Sequence, residues 1–341
     1  MPNSSLSSCV ARAGRTSPFH CAVPRGCSQL TAHIAVKCEH PRETPPSWPP
    51  PPDTEIHFPT PPTPCTRTTE LAFPLLRAGH RHPKRRSRGV TEIRGPYYSV
   101  MEPRYVRDVL DTMGEHVDAL KFAGGSFTLM PGPALREIIE IAHEHDVVVS
   151  TGGFVEHVLT PGARCRERYT DEVARVGFDI LEVSAGFISI PTDDILRLAG
   201  RVQRAALKAK PEVGIQLGAG GATTPEELEP EGTRDVGYAI DVARRCLDAG
   251  AYMIMIESEG ITEEVTTWRP DAVATITGEL GMEKVMFEAA DPEVFGWYVK
   301  NYGPEVNLFV DHSQIVQLGC LRRDIWGTKS LRGRVVTYPR E

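Results

Sequence analysis

The 341-residue chain has no apolar run approaching the roughly 20 residues that span a bilayer, so no membrane-crossing helix is expected and a soluble protein is. None of its eight cysteines forms a CxxC pair. Cys165, Cys246 and Cys320 fall in helix-like segments far apart in sequence, so they are expected to be free thiols of a reducing compartment. There is no GxGxxG after the first apolar run and no P-loop sequence, which leaves dinucleotide and nucleoside-triphosphate chemistry without support. Positive charge is also scarce where it would matter. Residues 1–88 carry 12 Lys/Arg against 5 Asp/Glu, leaving 26 against 40 in the remainder, a formal −14. Such an acidic body argues against nucleic acid as principal partner, because phosphate neutralisation needs a concentrated basic face.

What is present divides at about Arg88. Sixteen of the 29 prolines precede it, with WPPPPD at Trp48–Asp53 and a basic run, HRHPKRRSR, at His80–Arg88. A stretch of this composition buries too little apolar surface to offset its ordering entropy, so residues 1–88 read as a disordered tail and the basic run as a solvated linker. The first 38 residues hold Arg12, Arg15, Arg25 and Lys37 and many serines but no acid, a composition resembling an organelle transit peptide. The default is a dispensable extension on a cytoplasmic protein; a mitochondrial location follows if residues 1–38 are a transit peptide.

From Gly89 onward the pattern changes. In Lys284–Ile315 a short apolar run ends in Glu288, a helix-like segment follows with Val294, Trp297 and Tyr298, and a second run, Val306–Val310, ends at Asp311 and His312. This is a β-α-β unit whose apolar runs do not alternate, as suits a parallel sheet covered by helices. Further runs recur at Val90–Arg94, Val117–Phe122, Val147–Ser150, Phe178–Val183, Val213–Leu217 and Tyr252–Ile256. Helical segments separate them. Eight runs over about 250 residues predict a (β/α)₈ TIM barrel over 89–341, with a doubly wound open sheet as the competing architecture.

In a barrel the strand ends converge on one mouth. The polar residues there are Arg94, Lys121, Gly152 and Gly153, Glu182 with Ser184, Gln216, Glu257, Glu288, and Asn307 with Asp311 and His312. Ionisable groups inside a barrel are costly unless paired or metal-bound. Glu182, Glu257 and Glu288 recur at similar places on three strands, so either each pairs with a neighbouring Lys or Arg, or a cation or proton sits among them. Oxygen-only ligation suits Mg²⁺ better than Zn²⁺. Lys121 can hold an anion, or donate a proton if burial lowers its pKa; His312 can act as a general acid or an orienting partner. Arg322, in the last helical segment, can reach an anion at the mouth. A Schiff-base aldolase or an isomerase on the same fold is a further reading of a strand-end lysine.

The segments GVTEIRGPYYS, VDALKFAGGSFTLMP, VVVSTGGFVEHVL, GFDILEVSAG, CLDAGAYMIMIES, EKVMFEA and YGPEVNLFVDHSQIVQLGCLR carry a resemblance to the phosphosulfolactate synthase family, within it to the eukaryotic branch that includes plant heat-stress-associated proteins. The resemblance implies a (β/α)₈ barrel adding sulfite to phosphoenolpyruvate with Mg²⁺, a lyase of sulfonate biosynthesis with small anionic substrates. Set against the strand-end inventory, that reaction puts Lys121, Glu182 and His312 in catalysis, Glu257 and Glu288 at the metal, and Arg94, Gly152, Gly153, Ser184, Gln216, Asn307 and Arg322 at the substrate. Assembly into a homo-oligomer is left open. In the archaeal enzymes the fifth strand ends in a Glu-Val-Gly-Lys-Lys-like motif; here GIQLGAGG puts Gln216 at the Glu, with no lysines after it. The alternative is a non-catalytic barrel acting in heat-stress tolerance through protein contacts.

Overall fold

Each apolar run becomes a short strand, and the helices between them supply the crossovers that parallel strands require. In the computed structural model the described residues are 72–73, 75, 78–160, 163–215 (backbone only for 163–167), 219–220, 224, 235–289, 291–325 and 335–336. The strands are β1 (Thr91–Arg94), β2 (Ala119–Lys121), β3 (Val148–Ser150), β4 (Ile180–Val183), β5 (Lys208–Val213), β6 (Ile254–Ile256), β7 (Val285–Glu288) and β8 (Leu308–Asp311). They pair in sequence order, all parallel, and β8 closes on β1. The open-sheet alternative is thereby excluded.

The helices are α1 (Pro103–Met113), α2 (Gly132–Glu144), α3 (Val155–Leu159), α4 (Ala163–Val176), α5 (Thr192–Arg204), α6 (Gly237–Asp248), α7 (Pro270–Leu280), α8 (Pro292–Tyr302) and α9 (Ile315–Arg322). Proline in the first turn of α1, α2, α7 and α8 starts them where its missing N–H costs nothing.

Two separate apolar clusters show which side chains face which way. Ile93, Leu120, Val149, Leu181, Ala209, Ile254, Val285, Phe287, Leu308 and Val310 pack outward against the helices. The residues between them on the strands point inward, where Val90, Met253, Met255, Met286 and Phe309 form a smaller cluster. The rest of the interior is charged. Lys210 on β5 meets Glu92 on β1 at 2.5 Å and Glu182 on β4 at 3.0 Å, all at most 1% exposed.

Two expectations need correction. The fifth strand is Lys208–Val213, five residues earlier than the apolar run Val213–Leu217 suggested. Its inward face is Lys208, Lys210 and Glu212, so the strand reads as polar in sequence. The basic run His80–Arg88 is not a solvated linker. Arg86 binds both Asp118 oxygens, at 2.9 and 3.1 Å, with its side chain 1% exposed, and Arg81 reaches the same carboxylate at 3.5 Å. Asp118 also accepts from the Thr91 N–H, so this clasp holds the chain against the entry to β1 and β2. Residues 1–71, including the transit-peptide segment, lie outside the described residues. Among those described, no helix is long and apolar enough to cross a membrane.

Candidate active site

Register sets the last inward residues at one end of the barrel. Arg94 lies opposite Lys121 on one side and Asp311 on the other, and Glu288 lies opposite Phe309. These are carboxyl ends of strands, where barrels bind ligands.

At the centre stands Lys121, 5% exposed. Its ammonium is 2.7 Å from Glu182 and 3.3 Å from Glu212, and 4.4 Å above the Phe309 ring. Burial alone would lower its pKa; Glu182, Glu212, Glu288 and Glu92 together outweigh burial and hold it well above the usual lysine value. Lys121 is therefore a fixed cation and not a ready proton donor. Burial would likewise raise Glu182, but Lys121 and Lys210 bring it down to about 2, an ionised carboxylate locked between two lysines.

Glu212 and Glu257 behave in the opposite way. Burial, with Glu182 and Glu288 adding to it, pushes Glu212 up to about 8 despite Lys121. Burial and the charges of Glu288 and Glu212 push Glu257 well above the carboxylate range, against hydrogen bonds from the Ser258 N–H at 2.9 Å and hydroxyl at 3.1 Å. Glu288 is met by Arg94 at 2.6 Å, whose guanidinium also donates to Tyr98 and lies 5.0 Å from the Phe309 ring centre. With every carboxyl ionised the mouth would hold more negative charge than its cations neutralise, and the raised pKa values of Glu212 and Glu257 mean that protons remove that surplus.

The loops above complete it. Gly152, at φ +62°, lies where a Cβ would come 2.7 Å from the Phe122 carbonyl, and a Cβ on Gly153 would come 2.6 Å from the Ser184 hydroxyl. Both glycines let the turn after β3 pack closely between β2 and β4. Ser184 donates to Glu156 Oε1 at 2.5 Å, and the same carboxylate accepts from the N–H groups of Gly186 and Phe187. Glu156 thereby ties the turn after β3 to the one after β4. After β5, the Gly220 N–H donates to Glu259, and the Gly220 backbone lies against the Glu257 carboxylate.

Of the residues expected at the mouth, Arg94, Lys121, Glu182, Glu257 and Glu288 converge there. Gly152, Gly153 and Ser184 are there too, but engaged with neighbouring backbone and Glu156. His312 sits at its edge, edge-on to Tyr105 and 3.6 Å from Asp311. Asn307 and Arg322 are not there at all. Asn307 precedes β8 and binds the Val90 N–H and the Met282 and Val285 carbonyls; Arg322 donates to the Pro304, Val306 and Val90 carbonyls. Both pin strand entries at the opposite end, since their donors match the backbone groups left open there. Gln216 lies outside the described residues, as does most of the loop Gly218–Gly232.

Lys210, Glu212, Glu156 and Phe309 were not singled out from the sequence. Glu212 had a signal. With β5 ending at Val213, the Glu-Val-Gly of the fifth-strand motif is Glu212-Val213-Gly214, so the acid is present and the departure falls on Ile215 and Gln216, which stand where lysines were expected.

The chain is 40% identical over 249 residues to Protein HEAT-STRESS-ASSOCIATED 32 of Arabidopsis thaliana, covering 70% of this chain and 87% of that one. It is 27% identical over 237 residues to the phosphosulfolactate synthase of Methanothermobacter thermautotrophicus, covering 67% and 86%, and 22% identical over 235 residues to that of Methanocaldococcus jannaschii. Residues 79–328 match the family of (2R)-phospho-3-sulfolactate synthase (ComA), and with that span comprising most of the chain and the whole barrel, the protein belongs to this family.

Proposed function

We propose that the barrel is a carbon–sulfur lyase of the phosphosulfolactate synthase type, joining sulfite to phosphoenolpyruvate. The observation that carries this reading is Lys121, a buried ammonium held among strand-end carboxylates at the carboxyl end of the barrel, with Arg94 opposite it in the register. Sulfite attacks the methylene carbon of the enol, forming the C–S bond. The π electrons move toward the neighbouring carbon and its carboxylate, where Lys121 and Arg94 stabilise the developing charge. A proton then goes to that carbon and no group leaves. Lys121 keeps its proton, so the donor is a protonated carboxyl, a role we assign to Glu212, whose carboxyl is 3.3 Å from the Lys121 ammonium.

The acids at the mouth also suit Mg²⁺. Their donors are all oxygen, and once an ion displaced the proton of Glu257 its charge and that of Glu288 would together exceed what Arg94 balances. Among the described residues no three His, Cys, Asp or Glu side chains form a ready metal cluster. Glu257 and Glu288 would therefore hold the ion together with substrate oxygens and water, the usual state for Mg²⁺. Bound there, it would supply Lewis-acid stabilisation of the substrate's carboxylate and phosphate.

The test is to incubate the full chain with phosphoenolpyruvate, sulfite and Mg²⁺ and look for phosphosulfolactate by mass spectrometry. Product that is lost in Lys121→Ala supports the lyase. No product, and no thermal stabilisation by either substrate, overturns it.

A second reading is favoured by one feature: Ile215 and Gln216 replace cations that would help hold a phosphate. On that reading the barrel works in heat-stress tolerance by contacting other proteins, through the exposed Tyr98, Val100, Leu129 and Phe187 beyond the strand ends. Its signature is stress protection that is indifferent to Lys121→Ala.

A further inference from the structure

The opposite end of the barrel contains a cavity of about 590 Å³, formed where the strands begin. We propose that this cavity is a second ligand site, taking a small organic anion that carries an amino group at its inner end.

The rim supplies the anion's partners. Lys208 lies 4.8 Å over the ring of Tyr252, and Lys284 stands two strands away on the same rim. Neither makes an ion pair among the described residues, whereas the acids around them are already engaged. Asp118 holds Arg81 and Arg86, Asp146 holds Arg85, Asp179 holds His143, and Glu283 holds Arg88. Two exposed ammonium groups thus stand at the opening without a close ion-pair partner among the described residues.

The floor supplies the partner for the amine. Glu92 is 1% exposed and lines the cavity. Its Oε2 takes the Lys210 ammonium, but its Oε1 is buried with no hydrogen-bond partner among the described residues. A buried carboxylate oxygen left unpaired costs free energy that a donor placed against it recovers. Val90, Met253 and Met286 form the wall between rim and floor, so the body linking the two polar ends is apolar. Lys208 and Lys210 are two residues apart on β5, about 7 Å along a strand. An anionic head and an amine on a short carbon arm span that distance.

The rim lysines that the test alters lie at the opposite end of the barrel from the mouth. The probe for this cavity is O-phosphoethanolamine, titrated calorimetrically into the full chain, with propyl phosphate as a partner of nearly the same shape lacking the amine. We expect O-phosphoethanolamine to bind, propyl phosphate to bind roughly tenfold more weakly, and the double reversal Lys208→Glu/Lys284→Glu to weaken O-phosphoethanolamine at least about tenfold. Phosphoenolpyruvate binding at the mouth should be unchanged in that variant, which separates failure here from failure of the lyase reading. Equal binding of the two phosphates would show that Glu92 reads no donor, and undiminished binding in the double reversal would place the probe elsewhere; either result overturns the proposal.

Discussion

Lys121 and Glu182 form a buried ion pair at 2.7 Å, each with a second partner, Glu212 for the lysine and Lys210 for the glutamate. Removing one member of a buried pair leaves the other as an uncompensated charge, which costs about 3–5 kcal/mol. Here the cost is shared, because Glu182 keeps Lys210 when Lys121 is lost. We therefore expect Lys121→Ala to lower stability by about 2–4 kcal/mol in urea unfolding, and Lys121→Ala/Glu182→Gln to recover part of that without recovering turnover. Turnover returning in the double variant would show that Lys121 acts only through the fold. The sequence made Lys121, Glu182, Glu257 and Glu288 legible because each ends an obvious apolar run. Lys210 and Glu212 were hidden because their strand is KAKPEV, whose inward face is wholly charged, so the hydrophobic pattern that marks a strand is missing there. Asn307 was misread for a simpler reason: it stands beside a strand, and composition does not tell an entry from an exit.

Among the elements, β5 and the segment before β1 show where pattern reading stops. Alternation of strand and helix was clear for seven strands, and closure followed from their number; the fifth was displaced toward the nearest apolar run. The segment before β1 looked unstructured because its value lies in two guanidinium groups and not in apolar area. Arg81 and Arg86 balance Asp118 at the entry to β1 and β2, so a chain beginning at Gly89 would leave that acid without its cations. We expect a chain beginning at Ala78 to be more stable than one beginning at Gly89 by about 3 kcal/mol, measured by urea unfolding of both. Equal stability would mean that water replaces the clasp at no cost.

The same cluster controls a histidine. His116 is half-buried beside Arg81, Arg323 and Arg86, and burial first, then those cations, bring its pKa from 6.5 down to about 4, with Asp118 opposing. Between those values the unfolded chain takes up a proton that the folded chain does not. Stability from this group is complete above pH 6.5 and is lost as pH falls toward 4, by at most about 3 kcal/mol. His116→Gln should flatten that slope relative to the parent, and parallel curves of stability against pH for the two proteins would refute the assignment.

Across the whole barrel, charge is unevenly disposed. Glu92, Glu182, Glu212, Glu257 and Glu288 face the interior against Lys121, Lys210 and Arg94. Lys210 and Lys121 offset Glu92 and Glu182, and Arg94 offsets Glu288, so the acids without a cation of their own are Glu212 and Glu257 at the mouth. Two things can neutralise these acids: protons, which the raised carboxyls hold at neutral pH, or a divalent cation, which would displace them. These alternatives differ in a measurement that needs no substrate. If Mg²⁺ binds there, saturating it to about 100 times its dissociation constant stabilises the fold by about 2.7 kcal/mol, a rise in Tm of roughly 5–10 °C for a barrel of this size. The rise should vanish in Glu257→Gln, which keeps the shape of the side chain and removes its charge, and binding should release protons to an unbuffered solution. A Tm that ignores Mg²⁺ while still falling as pH is raised would mean that protons alone hold these carboxylates together.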